Sequence, residues 1–313
     1  MSDTLIRLKS AVISAFPKAK KTSIWLLKII IPISFLVSVL DYLGIIHVIA
    51  DYLSPVFSLV GLPGEAAIVF LTSIFLSLYA PIAIIATLPL DPREIAILAV
   101  MCLIAHNMLV ETAVQNKTGS NYFSMFVLRI LGAFVAAYFL NLILPKEISG
   151  AEISANAIEY ESFWEMLKMW GIGTLSLVVK VLLIITGLML LQNILKEFKI
   201  LDIISTSLNP LMSFMGLPKS SSFLWFVAQV LGLTYGSAVM IDSFENNELS
   251  REDANLLNYH IALNHSTLED TLLFVAIGVP FFWMVIPRFV LAILVVWVIR
   301  IFQHSFVKKQ VRA

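Results

Sequence analysis

The side chains best equipped for chemistry fall in two apolar stretches, Pro92 to Lys117 and Arg251 to Ile277. The first carries Cys102, His106, Asn107, Glu111, Thr112 and Gln115, and the second Asn258, His260, Asn264, His265, Glu269, Asp270 and Thr271. Carboxylates, amides and imidazoles in apolar surroundings bind a proton, Na+ or a metal ion, or hydrogen-bond a polar solute. Read as continuous helices, Asn107 and Glu111 stand four apart, as do His265 and Glu269, so each pair shares a face. Asp270 points about 100° away from Glu269 and is expected to serve the fold. His106 and His265 are read as hydrogen-bonded supports of a solute or ion site. With Cys102 as the one cysteine, no metal centre is expected.

Hydrolytic chemistry finds little support. The chain contains no HExxH, GxSxG or GxxxxGK[ST] string, and adjacent residues such as His265 and Ser266 do not face each other in a helix. The expectation is a protein that is not an enzyme and carries no cofactor, with Na+ or H+ as the ions available for coupling.

The elements that position these residues must lie in a membrane. Hydrophobic residues make up 59% of the chain and charged residues 13%, with a mean hydropathy of +0.91, whereas a soluble domain has about 25% charged residues. Apolar runs such as Ile68 to Leu90 and Leu175 to Leu191 approach or exceed the ~20 residues of a transmembrane helix. Lys and Arg total 21 against 21 Asp and Glu, which excludes a broad basic surface for nucleic acid. The partners implied are the lipid bilayer and a small-molecule or ion substrate, and a homo-oligomer is left open.

The chain also repeats itself. Leu53 to Pro63 reads LSPVFSLVGLP and Leu208 to Pro218 reads LNPLMSFMGLP, a displacement of 155 residues. At 158, His106-Asn107 and Glu111 lie opposite Asn264-His265 and Glu269, and at 159 Arg129 lies opposite Arg288. Each copy offers a long first helix, an apolar stretch after Gly-Leu-Pro broken near Tyr79-Ala80-Pro81 or near Gly232 to Gly236, and two further long segments. Half-helices of about a dozen residues reach only ~18 Å, the length of a re-entrant hairpin.

Charge sets the orientation. Five Lys and Arg occur in the first 21 residues and Arg300, Lys308, Lys309 and Arg312 near the end, whereas Lys146 to Glu161 is acidic. Cationic flanks stay cytoplasmic, so both termini are expected in the cytoplasm and the central loop outside. Each copy then crosses an odd number of times, and the second is inverted. The expected architecture is an all-α polytopic membrane protein of two inverted repeats, each with about three crossing helices and one re-entrant hairpin. Its divisions are an amphipathic cytoplasmic-surface helix at 1–21, repeats at 22–145 and 162–303, an external acidic linker at 146–161 and a basic cytoplasmic tail at 304–313. Four crossings per copy would give parallel repeats, against the charge pattern.

The duplicated Gly-Leu-Pro element, its apolar hairpin and the following HNMLVET or NHSTLEDT resemble the nucleoside-recognition, or gate-domain, family, which includes the spore maturation membrane proteins. Related gate domains occur in concentrative nucleoside transporters and in the bacterial ferrous-iron transporter. The resemblance covers about Ser23 to Phe302. It implies a bacterial inner-membrane protein whose ligand lies between hairpin tips and broken helices, which points to Tyr79, Tyr235, Asn107, Glu111, Asn264 and Glu269. The amides would supply neutral hydrogen bonds, and the two glutamates would bind a substrate hydroxyl, a proton or Na+. Arg129, Arg288 and Lys180 also sit within apolar runs and are expected to form a charge network with Glu111, Glu269 and Asp270. Three acids against three bases suit a neutral or zwitterionic solute. Three functions stay open: transport of a small polar solute by alternating access, a divalent-cation or proton carrier or channel, and a non-transporting membrane partner protein.

Overall fold

The computed structural model describes residues 3–146 and 161–310, and among them the fold is entirely α-helical. The first half comprises α1 (Asp3–Tyr42), α2 (Ile45–Phe57), α3 (Ala66–Phe75), α4 (Tyr79–Ile85), α5 (Pro92–Ala105), α6 (Met108–Lys117) and α7 (Tyr122–Ile143). The second comprises α8 (Phe163–Glu197), α9 (Ile200–Ser207), α10 (Asn209–Phe214), α11 (Ser222–Val230), α12 (Gly232–Glu245), α13 (Arg251–Leu263), α14 (Glu269–Val275) and α15 (Phe281–Gln310). Both halves run in the same order: a long helix, a short amphipathic segment, a helical hairpin, a helix broken in its middle and a second long helix. All but the ends of the acidic linker lies outside the described residues, and the basic tail begins within α15.

The Gly-Leu-Pro elements close the short segments identically. Gly61 N–H donates to Ser58 O and Leu62 N–H to Phe57 O at 3.1 Å each; Gly216 N–H donates to Ser213 O at 3.1 Å and Leu217 N–H to Met212 O at 2.8 Å. This is a Schellman cap, whose C′ residue must adopt a left-handed conformation. Gly61 and Gly216 do so at φ 72° and 73°. The broken helices also start alike. Asp91 accepts from Glu94 N–H at 2.8 Å while Glu94 accepts from Asp91 N–H at 2.8 Å, with Pro92 at the first turn. Ser250 accepts from Asp253 N–H at 3.1 Å, and each side chain satisfies a donor the helix leaves free.

Residues 1–21 do not form a separate surface helix. They are the first half of α1, which runs unbroken for 40 residues, or about 60 Å at the helical rise. The reason is α8, which lies antiparallel along the whole of α1. Arg7 Nε meets Glu197 Oε1 at 2.9 Å, Lys18 Nζ donates to Asn193 Oδ1 at 3.0 Å, Trp170 Nε1 donates to Ser34 Oγ at 3.1 Å, and the rings of Tyr42 and Phe163 are 5.9 Å apart. Ala11, Ala15 and Ala19 are buried on this seam. The amphipathic face read from the sequence is the face that packs on α8.

Four helical stretches are long and apolar enough to cross a membrane by length and composition: 92–117, 122–143, 163–197 and 281–303. α1 contributes a shorter apolar stretch at Ile30–Tyr42, and the polar content of α13 and α14 keeps them below the same threshold. Large apolar side chains point outward from the long helices, including Leu131 and Phe139 of α7, Leu175 and Leu183 of α8, and Phe282 and Leu294 of α15. Such faces are disallowed in water over so large an area and are the ones a lipid phase solvates. The protein is an all-α polytopic membrane protein.

Candidate functional site

Every helix break in the two repeats opens on one cavity of about 510 Å³. Its wall includes Ser77, Leu78 and Tyr79 from the α3–α4 break, His106 and Asn107 from the α5–α6 break, Leu231 and Gly232 from the α11–α12 break, and Ser266 from the α13–α14 break. Glu111, Glu269 and Asp270 complete the charged lining, with Thr22, Met189 and Gln192 contributed by α1 and α8. The volume falls within the roughly 300–1,000 Å³ of small-molecule sites.

The sequence reading took 92–117 and 251–277 as continuous helices, and the structure interrupts both. Asn107 and Ser266 each adopt φ 46°, a left-handed conformation that an L-residue enters at a cost of about 1–2 kcal/mol. What over-determines it is the neighbouring hairpin. Asn107 N–H donates to Ser73 O at 2.8 Å and Leu76 O at 3.0 Å; Ser266 N–H donates to Ala228 O at 2.9 Å and Leu268 N–H to Gln229 O at 3.3 Å. In each repeat, the broken helix thus satisfies carbonyls near the end of the hairpin's first arm, so hairpin and break form one unit.

Arg129 and Arg288 hold the breaks from behind, both fully buried. Arg129 donates from Nε to Ile104 O and from Nη2 to His106 O, each at 2.7 Å, and its Nη2 lies 2.7 Å from Glu111 Oε2. Arg288 donates from Nη1 to His265 O at 3.4 Å, from Nη2 to Thr271 Oγ1 at 2.9 Å and from Nε to Met284 O at 3.0 Å. Each guanidinium caps a half-helix C-terminus, where carbonyls lack internal partners and the helix dipole favours positive charge.

These contacts correct the register of the repeat at its centre. At a displacement of 159, His106 matches His265, Asn107 matches Ser266, Glu111 matches Asp270, Thr112 matches Thr271 and Arg129 matches Arg288. Asp270 is therefore the counterpart of Glu111, and Glu269 stands apart from the pseudo-symmetry. Both imidazoles use Nδ1 toward the carbonyl four residues earlier, Cys102 O at 3.2 Å and Ile261 O at 2.7 Å. Their Nε2 atoms cross to the other repeat: His106 to Asp270 Oδ2 at 3.3 Å and His265 to Glu111 Oε2 at 3.3 Å. The two rings lie 5.1 Å apart.

The remaining expected residues divide. Tyr79, Asn107, Glu111 and Glu269 line the cavity, whereas Asn264 and His265 are buried behind it. Asn264 O accepts from Gln229 Nε2 at 2.6 Å and its Oδ1 accepts from Thr267 at 3.3 Å, so this amide supports the break. The side chain of Tyr235 lies outside the described residues. Lys180 is exposed on α8, while the buried charges are Arg129 and Arg288 with the acids. Asn258, expected in the polar chamber, instead donates to Gln115 O at 3.2 Å, Thr118 Oγ1 at 3.0 Å and Ser120 Oγ at 2.9 Å, closing the end of α6 against α13. Sequence reasoning missed Gln192, which donates to Glu269 Oε2 at 3.2 Å. An amide within an apolar helix was its signal.

A family model described as Gate, nucleoside recognition, matches residues 23–138 and again 178–296. The chain is 31% identical over 294 residues to the uncharacterized membrane protein YvoD of Bacillus subtilis (strain 168), an alignment spanning 92% of this chain and 93% of that protein. No solved structure matches it. With its two matched regions coinciding with the two structural repeats, the chain belongs to the Gate nucleoside-recognition family.

Proposed function

We propose that the protein transports a small polar solute, nucleoside-like in its chemistry, by alternating access between two inverted repeats. The supporting observation is the convergence of all four helix breaks on one cavity whose charged and polar lining comes from both repeats. Broken helices expose backbone donors and acceptors at membrane depth, where they are tolerated if they line a cavity. A motion of one hairpin-and-break unit against the other would change access to the lining without dismantling either unit. The family description supplies the solute class. Hydroxyl groups suit Glu269 and Asn107, and the wall includes the Tyr79 ring. Na+ or H+ would be the coupling ion. In this reading the protein resides in the bacterial cytoplasmic membrane, with both termini in the cytoplasm.

Equilibrium binding of radiolabelled purine and pyrimidine nucleosides to purified protein tests the reading. Saturable binding that is lost in Glu269→Gln supports it. Absence of binding across the panel, with the protein monodisperse, overturns the nucleoside assignment.

A further inference from the structure

We infer that the two repeats jointly bind one divalent transition-metal ion through His106 Nε2, His265 Nε2 and Asp270 Oδ2. The inference does not depend on what the cavity carries. These three ligand atoms lie within 4.8 Å of one another, one from the first repeat and two from the second.

The argument begins with the tautomers. A carbonyl oxygen only accepts, so the contacts of His106 Nδ1 with Cys102 O and of His265 Nδ1 with Ile261 O place a proton on each Nδ1. In a neutral imidazole, Nε2 then carries a lone pair. Each Nε2 faces a carboxylate oxygen at 3.3 Å, and His106 Nε2 is also 3.4 Å from Glu111 Oε1. Acceptor meets acceptor, so a cation must lie between them.

Protons would require one on each ring. Two imidazolium rings would then stand 5.1 Å apart beside two buried guanidiniums, four positive charges against the carboxylates of Glu111, Glu269 and Asp270. The spacing also disfavours protons. A charge-assisted N–H···O bond is about 2.7–2.9 Å long, and among the described residues His265 Nε2 and Asp270 Oδ2 are buried without a hydrogen-bond partner. One shared metal ion removes both difficulties. Zinc-like ions bind imidazole nitrogen and carboxylate oxygen at about 2.0–2.2 Å, which puts tetrahedral ligand atoms roughly 3.3–3.5 Å apart. The distances between His106 and Asp270 and between His265 and Glu111 fall at that value.

The surroundings have the features of a built site. Metal-bound histidines are oriented by a hydrogen bond from their other nitrogen, which both rings have. Arg129 fixes Glu111 at 2.7 Å. With neutral imidazoles, three carboxylates against two guanidiniums leave one negative charge for the ion to meet. His106 and Asp270 line the cavity while His265 is behind it, so an open coordination position would face the cavity and could take water or a solute oxygen or nitrogen. The ion would also join the two repeats across their pseudo-two-fold axis.

The test uses full-length protein purified without a polyhistidine tag, stripped with chelator and titrated with Co2+ and Zn2+. The expected result is one ion per chain, with the visible absorption of tetrahedral Co2+, and loss of that stoichiometry in His265→Asn and in Asp270→Asn. X-ray absorption of the Zn2+-loaded wild type avoids dependence on the folding of variants and should show two imidazoles with oxygen in the remaining shell. Failure to bind either ion, a shell without imidazole, or unchanged binding by folded His265→Asn overturns the inference.

Discussion

His106 Nε2 lies 3.3 Å from Oδ2 of Asp270, a carboxylate supplied by the opposite repeat. The mirror contact joins His265 to Glu111 at 3.3 Å. Each repeat therefore completes the other's polar centre, and the site belongs to the pair of repeats rather than to either one. The hydrogen bonds that create the helix breaks, by contrast, stay within each repeat.

The buried guanidiniums should be the most sensitive positions for folding. Arg129→Met leaves Glu111 charged and two carbonyls at the end of α5 without donors, and breaking a buried pair in this way costs about 3–5 kcal/mol. The double variant Arg129→Met with Glu111→Leu should recover part of that loss, because it removes the stranded charge as well. Denaturation of the detergent-solubilised protein measures both, and equal loss in single and double variants would show that the pair is uncoupled.

The left-handed residue at the α5–α6 break makes a second prediction. Asn107→Gly should leave stability nearly unchanged, whereas Asn107→Val should lose about 1–2 kcal/mol, since a β-branched residue is poorly accommodated at φ 46°. Thermal unfolding followed by circular dichroism separates the two.

The Gly-Leu-Pro caps offer a third. At Gly61 an added Cβ would stand 2.1 Å from Asn141 Oδ1, the atom that accepts from Arg93 at 2.8 Å. Gly61→Ala should therefore destabilise by more than the roughly 1–2 kcal/mol of backbone strain alone. Gly44, also left-handed at φ 74°, has nothing within 4 Å of the same position, so Gly44→Asn should be close to neutral. Comparing unfolding midpoints of the two variants checks the contrast.

These caps were fully legible in the sequence, because a Schellman turn demands glycine at C′ and leaves a recognisable string in each copy. The hairpins were legible for a similar reason, through Pro81 and Gly232, although the first break falls at 76–78, just before the Tyr79-Ala80-Pro81 segment. The breaks at Asn107 and Ser266 were not. Neither site contains glycine or proline, and the conformation comes from hydrogen bonds to a hairpin about 30 or more residues earlier in the chain. The central register was off by one residue for a related reason: matching Glu111 to Glu269 follows residue identity, whereas space matches charge, and Asp270 takes the equivalent place. The continuity of α1 was hidden because its partner, α8, lies in the other half of the chain.

Topology supplies a fourth prediction, independent of the site. In a Cys102→Ala background, Ser154→Cys in the acidic linker should react with a membrane-impermeant maleimide in intact cells, and Ser10→Cys only after permeabilisation. Labelling with the reverse pattern would place the termini outside and contradict the charge reading.

The central claim is that the cavity shared by the two repeats carries a small polar solute. Its most direct measurement is uptake of a labelled nucleoside panel into proteoliposomes, under imposed Na+ or H+ gradients, by wild type and by Glu269→Gln. Glu269 lines the cavity and is held by Gln192, outside the arginine network that supports the fold. The account predicts gradient-stimulated uptake of at least one nucleoside by wild type and its loss in properly inserted Glu269→Gln. Uptake no greater than in empty liposomes under either gradient, or equal uptake by the two proteins, would contradict it.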